Sequence, residues 1–187
     1  MRALLRGTDL VGLPVVTLGG DDIAEVRDVV FDAKTGHVVG FRLNKRGRLG
    51  GRMKTTLRRD QVRAVGPAAV MVDRGIELAD EELTSDHDRT GNVLADQVMT
   101  DSGVAVGTVT DVVVDTASGE VVGYEVLPAD DAGKRRGRRS YLPLPEMAAV
   151  SGEALIVPAT AIDYVTTDLA GFAEAVDRYR EQLRGRG

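Results

Sequence analysis

Residues 28–43 read DVVFDAKTGHVVGFRL, and residues 111–126 read DVVVDTASGEVVGYEV, so one motif occurs twice at an offset of 83 residues. Eight of the sixteen positions are identical in the two copies. Further along the chain the offset becomes 85, which aligns the VMV of residues 70–72 with the LIV of residues 155–157. Self-similarity at a fixed spacing indicates two copies of one folding unit within a single chain.

Each copy is predicted to be a series of short strands. In the first copy, apolar alternation and turn residues predict strands at residues 15–18, 23–31, 37–44, 55–59 and 70–73. Asp32 and Gly36 bound a hairpin loop, because Asp caps turns and Gly accepts a positive φ. The apolar phase slips at residues 27–28, which predicts a bulge. Gly40 inside its strand predicts a bend or a close backbone approach. This spacing of strands, together with abundant valine, is typical of a small β-barrel or sandwich.

The repeat divides the chain into four predicted parts. These are a first domain at residues 8–79, an acidic linker at 80–91, a second domain at 92–165 and a helix at 166–185. The helix is amphipathic: Asp168 offers an N-cap, and the apolar residues at helical spacing are Leu169, Phe172, Ala173, Val176, Tyr179 and Leu183. A copy of about 70 residues buries only about 60% of its unfolded surface. We therefore expect the copies to pack on each other or on another chain, and the helix to pack on a barrel or to contact a partner or a membrane.

The repeated motif, Asp-Val-Val-x-Asp followed by x-x-x-Gly-x-Val-Val-Gly, resembles the PRC-barrel family. The resemblance covers about residues 9–73 and 93–157, including closing strands similar to that family's final strands. It implies an all-β fold of two tandem small PRC-type β-barrels followed by a C-terminal amphipathic α-helix. Members occur in the photosynthetic reaction-centre H subunit, in a ribosome-maturation factor, in archaeal cell-division proteins and as stand-alone bacterial proteins. The chain resembles the stand-alone bacterial type most, and the resemblance implies binding of protein or RNA without a catalytic constellation.

The candidate chemical groups do not form a recognisable active site. The chain has no cysteine, and its two histidines, His37 and His87, have no partner at metal-ligand spacing. The recurring pairs Asp28/Asp32 and Asp111/Asp115 are interpreted as turn caps rather than acid–base groups, and phosphate-loop and nucleophile-elbow patterns are absent. The sequence therefore predicts a protein that is not an enzyme, with no cofactor, no metal and no small-molecule substrate.

Positive charge is concentrated in two equivalent segments of a chain whose net charge is −5. Residues 42–59 contain eight basic residues and no acidic one, and residues 134–139 contain five basic residues in six positions. The candidate partner-binding residues are Lys45, Arg46, Arg48, Arg52, Lys54, Arg58, Arg59, Lys134, Arg135, Arg136, Arg138 and Arg139. As flexible basic loops they would engage RNA phosphates, lipid headgroups or an acidic protein. The alternative is that they are solvated or neutralised by the chain's own acidic surface.

The leading functional hypothesis is a scaffold that binds a protein partner or associates with itself. An RNA-associated barrel that contacts the phosphate backbone and a peripheral membrane adaptor are the alternatives. No apolar run is long enough to span a bilayer, and no signal-peptide core is recognisable, so we expect a cytoplasmic location. The excess of arginine over lysine is consistent with a GC-rich bacterial genome.

Overall fold

The first half of the molecule forms one six-stranded sheet. The computed structural model describes residues 3–32, 35–46, 51–78, 94–131, 137–144, 149–150 and 154–185. The elements of the first half are β1 (Leu4–Arg6), α1 (Gly7–Leu10), β2 (Pro14–Thr17), β3 (Asp22–Asp32), β4 (His37–Asn44), β5 (Arg52–Arg58), β6 (Val62–Val65) and β7 (Val70–Val72). The strand order is β5-β4-β3-β2-β7-β6, in which β2 and β7 are parallel and the other neighbours antiparallel.

The second half repeats this sheet strand for strand. Its strands are β8 (Gln97–Thr100), β9 (Ala105–Asp115), β10 (Val121–Pro128), β11 (Ser140–Pro143), β12 (Ala149–Val150) and β13 (Ala154–Val157), in the order β11-β10-β9-β8-β13-β12. The register is also repeated, since Val15 lies opposite Val70 in the first half and Val98 lies opposite Leu155 in the second. The predicted all-β tandem repeat is therefore confirmed. The fourth predicted strand begins earlier than expected, at Arg52, and β6 and β12 were not predicted.

Glycine and aspartate shape the equivalent hairpins as predicted. Gly36 and Gly119 take the left-handed region, with φ of +68° and +77°. Each glycine N–H donates to the carbonyl oxygen of the aspartate that opens its turn, Asp32 or Asp115, over 2.7 Å. The predicted bulge is confirmed at Arg27, where the register between β3 and β4 shifts. These local devices fix the same hairpin geometry in both halves.

The two halves contact each other through these hairpins. The Val38 N–H donates to the Gly119 carbonyl oxygen over 2.8 Å, and the Val121 N–H donates to the Gly36 carbonyl oxygen over 2.7 Å. Because Val121 and Gly119 are Val38 and Gly36 advanced by 83 residues, the contact is reciprocal, as in an isologous dimer interface. The halves are thus related by an internal pseudo-two-fold axis.

The N-terminal strand also joins the halves. β1 forms an antiparallel ladder with β9 of the second half, in which Leu4 lies opposite Asp115 and Arg6 opposite Val113. One continuous cluster of buried apolar side chains includes Phe41 from the first half and Val98 from the second. The expectation that the two copies pack on each other is confirmed.

The C-terminal helix packs on the second half. The helix α2 (Leu169–Arg184) begins at the predicted N-cap, where the Asp168 carboxylate accepts the Gly171 N–H over 2.7 Å. Its buried residues are Phe172, Ala175, Val176 and Tyr179, so Ala175 rather than the predicted Ala173 completes the buried face. Phe172, Ala175 and Val176 form a cluster with Val113, Val122 and Tyr141 of the second sheet.

Candidate binding surface

A row of polar residues crosses each sheet at equivalent positions. In the first half, the directly opposed residues of β3, β4 and β5 are Asp28, Arg42 and Thr56, which we call the first polar row. The corresponding residues of β9, β10 and β11 are Asp111, Glu125 and Tyr141, which we call the second polar row. Side chains of directly opposed residues lie on the same face of a sheet, so each row forms one continuous surface.

Glu125 is the centre of a buried hydrogen-bonded cluster in the second polar row. Its side chain is 1% exposed, and its Oε1 accepts hydrogen bonds from Arg139 Nη1 and Thr110 Oγ1, each over 2.9 Å. Its Oε2 faces Arg6 Nη1 and the Tyr141 hydroxyl, each at 3.4 Å. The pKa of the Tyr141 hydroxyl is raised, mainly by burial and to a smaller extent by the negative charge of Glu125. A buried carboxylate is tolerated here because every face of it meets a donor.

The N-terminal segment, residues 4–10, covers the second polar row. Asp111 Oδ2 accepts hydrogen bonds from the Thr8 N–H, over 3.1 Å, and from the Thr8 hydroxyl. A Cβ at Gly7 would stand 2.9 Å from Asp111 Oδ1, so glycine permits this close approach. Hydrogen bonds from Arg6 lower the pKa of Asp9, and the bond to Asp9 is the main cause of a raised pKa at Arg6. The segment is therefore held by both backbone pairing and charge.

The first polar row is more exposed than the second at Asp28, whereas its Thr56 is buried. Arg42 Nη1 lies 3.1 Å from Asp28 Oδ2, and the Asp28 side chain is 51% exposed, whereas Asp111 is 4% exposed. Turn capping is confirmed for Asp32, whose carboxylate accepts the hydroxyl of a turn threonine, and for Asp115, which accepts a turn N–H. That interpretation is wrong for Asp28 and Asp111, because both lie within strands and bind side chains or segments beside the sheet.

Several predicted partner-binding cations are engaged within the protein. Arg46 contacts Asp22 at 2.6 Å and Glu25 at 3.1 Å. Arg58 contacts Asp60 at 3.0 Å. For these cations the structure agrees with neutralisation by the chain's own acidic groups.

The two described cations of the second basic segment, Arg138 and Arg139, are also paired with carboxylates. One cation of the first segment, Arg59, contacts the second half. Arg138 Nε lies 3.5 Å from Asp131 Oδ2, and the backbone N–H of Arg138 donates to the same oxygen over 2.9 Å. Arg139 belongs to the Glu125 cluster. Arg59 Nη2 donates to the Ala117 carbonyl oxygen of the second half over 2.9 Å, so it is a contact between the halves. Four further predicted residues lie outside the described residues: Arg48, Lys134, Arg135 and Arg136.

Three of the predicted residues form an exposed cationic edge. We use this name for Lys45, Arg52 and Lys54, which are exposed and make no ion pair in the part of the chain that the structure describes. Arg52 and Lys54 lie in β5 rather than in a flexible loop. Arg52 lies directly opposite Asn44, two residues after Arg42 on β4, so it lies on the face of the first polar row, and Lys54 lies between Arg52 and Thr56, where the register of the two strands shifts.

Comparison with known proteins identifies the repeated unit. The model of the PRC-barrel domain matches the chain twice, at residues 4–75 and 86–163. The chain belongs to the PRC-barrel domain family. The two matches follow the two structural halves, so the tandem PRC arrangement is confirmed. No curated protein matches the chain. PRC-barrel domains are typically non-catalytic protein-interaction modules.

The first PRC match includes the N-terminal segment, although the predicted first domain began at residue 8. The cluster around Glu125 was missed because its charges come from segments distant in sequence. One signal was present: Arg42 and Glu125 occupy the same position of the PRC repeat with opposite charge. A charge reversal inside an otherwise similar strand indicates that the two copies face different surroundings. The predicted linker at 80–91 lies outside the described residues.

The described PRC halves offer no metal-binding cluster. Among the residues that the structure describes, no three His, Cys, Asp or Glu side chains are grouped closely enough to hold a metal ion. Within the same residues, none of the helices combines the length and the apolar character needed to cross a membrane.

Proposed function

We propose that this protein is a non-catalytic scaffold that binds a protein partner through its first PRC half. The observation that carries the proposal is a contrast between equivalent positions. Val122 is fully buried in the cluster formed with α2, whereas its counterpart Val39 is 37% exposed. The first half therefore presents positions that the second half uses for contacts within the chain.

A partner of different sequence is favoured over self-association. The reciprocal hydrogen bonds between the hairpins at Gly36 and Gly119 are made within one chain. They satisfy the contact that two identical PRC copies would otherwise make between molecules. We expect a single chain in solution, as measured by light scattering after size-exclusion chromatography.

Overall charge favours a protein over RNA or an anionic membrane. The net charge is −5 and the isoelectric point about 5.1, so a polyanion would be repelled by most of the surface. Tyr141, the aromatic residue beside a basic run, is 7% exposed and packs against Phe172 with ring centroids 5.7 Å apart. It is therefore not available for base stacking. A partner with a local acidic patch would meet the cationic edge without this penalty.

Site-directed photo-crosslinking in nuclease-treated extract of the native cell tests the proposal. A photo-reactive residue replaces Lys54 in the first half or, as the control, Arg63, which is exposed and paired with Asp73. We expect a discrete protein adduct from position 54 and none from position 63. Adducts that vanish with nuclease, adducts of equal yield from both positions, or no adduct at all would contradict the proposal.

A further inference from the structure

The N-terminal segment provides an internal example of how a polar row binds an extended segment. On the second polar row, Arg6 is placed against Glu125 and Thr8 against Asp111. The row itself contributes two carboxylates, and the segment supplies a cation and a backbone N–H in return. Charge complementarity and hydrogen-bond donation therefore select the segment that lies there.

The first polar row differs in charge from the second at one position. Arg42 stands where the second row has Glu125, whereas Asp28 and Asp111 have the same charge, and Lys54, on the strand beside the row, corresponds to another cation, Arg139. Arg52 and Lys45 add two more exposed cations, whereas the carboxylates nearby, Asp28 and Glu25, are already paired with Arg42 and Arg46. A segment lying on this row in the same way would need an acidic side chain where the N-terminal segment has Arg6.

Building on the proposed function, we propose that the first polar row and the cationic edge bind an extended acidic segment of the partner protein. Its acidic side chains lie against Lys54 and Arg52, while its backbone N–H or hydroxyl groups donate to Asp28, as Thr8 donates to Asp111. The N-terminal segment of a second copy does not fit, because its Arg6 would face Arg42 and Lys54. The charge of the row thus selects the class of partner.

The test measures binding of a short fluorescein-labelled oligoglutamate peptide to the full chain by fluorescence anisotropy at low ionic strength. We expect saturable binding that the double substitution Arg52→Gln/Lys54→Gln weakens by about three- to tenfold, from two exposed ion pairs of ordinary strength. Both side chains are exposed, so circular dichroism should show an unchanged fold. Added salt should weaken the complex further.

A second double substitution controls for net charge. Arg58→Gln/Arg63→Gln removes the same number of positive charges from exposed side chains, but these cations are already paired with Asp60 and Asp73. We expect this variant to retain the affinity of the unmodified protein. An equal loss in both variants would show a nonspecific charge effect and would overturn the proposal.

Parallel titrations distinguish the class of ligand. A single-stranded RNA of equal charge and vesicles containing anionic phospholipid replace the peptide. Tighter binding of either one, or no binding of the peptide, would overturn the assignment to an acidic protein segment. The double variant Arg52→Gln/Lys54→Gln can also carry the photo-reactive residue at Val39. If it still gives a nuclease-resistant protein adduct there, the scaffold function stands and only the acidic partner class fails.

Discussion

Replacing Asp96 with asparagine is predicted to stabilise the protein at neutral pH. Asp96 is 7% exposed, and its Oδ2 has no hydrogen-bond partner among the described residues. Desolvation raises the pKa of this carboxyl group. The equivalent residue of the first half is Leu13, which packs against the apolar core. We expect Asp96→Asn to add about 1 kcal/mol, the lower end of the cost of an unpaired buried polar group, because the amide also lacks a full set of partners.

The effect depends on pH with a definite sign. A carboxyl group whose pKa is raised in the folded state favours folding when it is protonated, and this contribution is fully present below its unfolded pKa of about 3.9. It is lost as the pH rises from that value through the folded pKa. The stability gained by Asp96→Asn should therefore be smallest near pH 3 to 4 and should grow to a plateau above the folded pKa.

Urea unfolding of both proteins across this pH range measures the effect. At neutral pH, a gain of about 1 kcal/mol corresponds to a rise in Tm of about 2–4 °C for a chain of this size. Asp73→Asn is a control of opposite sign, because hydrogen bonds from Arg63 lower the pKa of Asp73. Its contribution is present above the unfolded pKa and is lost as the pH falls. A pH-independent difference between Asp96→Asn and the unmodified protein, or a loss of stability at neutral pH, would exclude the desolvated Asp96 carboxylate as a destabilising group.

Four further substitutions test the backbone geometry and the helix packing by thermal or urea unfolding. Ala95 has a φ of +73°, so Ala95→Gly should stabilise the protein by about 1 kcal/mol. Gly12 lies at the equivalent position with a φ of +87°, so Gly12→Ala should cost a similar amount. If both substitutions changed the free energy of unfolding in the same direction, backbone strain would be excluded as the cause. Gly123→Ala should cost about 3 kcal/mol or more, because the new Cβ would stand 2.3 Å from the Leu142 carbonyl oxygen and 2.4 Å from Phe172 Cζ, and a loss below 1 kcal/mol would contradict this packing. Phe172→Ala should cost about 3–5 kcal/mol and expose the sheet face under α2, which binding of a hydrophobic dye would report.

The sequence predicted the repeated strands because local signals were strong. The turn glycines Gly36 and Gly119, the bulge at Arg27 and the N-cap Asp168 each act through backbone geometry within a few residues. A sequence pattern can show such effects directly. The start of β5 at Arg52 was missed because glycine and charged residues around it weaken the strand pattern.

The candidate site was predicted less completely, since it depends on contacts between distant segments. The basic segments were visible as composition, but the pairing of Arg46 with Asp22 or of Arg138 with Asp131 depends on tertiary structure. The cationic edge consists of the described basic residues of the first segment that make no such contact, and it is recognised only when the ion pairs are known. No local pattern distinguishes Lys54 from Arg139, although only the latter reaches a buried carboxylate.

Joining the two PRC copies in one chain has a consequence for binding. In a symmetric dimer of two identical single-copy chains, equivalent positions carry the same residue. Both polar rows would then be covered by an N-terminal segment, or neither would. Here the reciprocal hairpin contact retains the symmetry, while Arg42 and Glu125 differ at one equivalent position. Glu125 allows Arg6 to close the second row, and the charge of Arg42 would oppose the same closure on the first. Divergence at this position thus permits one half to stabilise the molecule and leaves Asp28 of the other half exposed, as the proposed partner site requires.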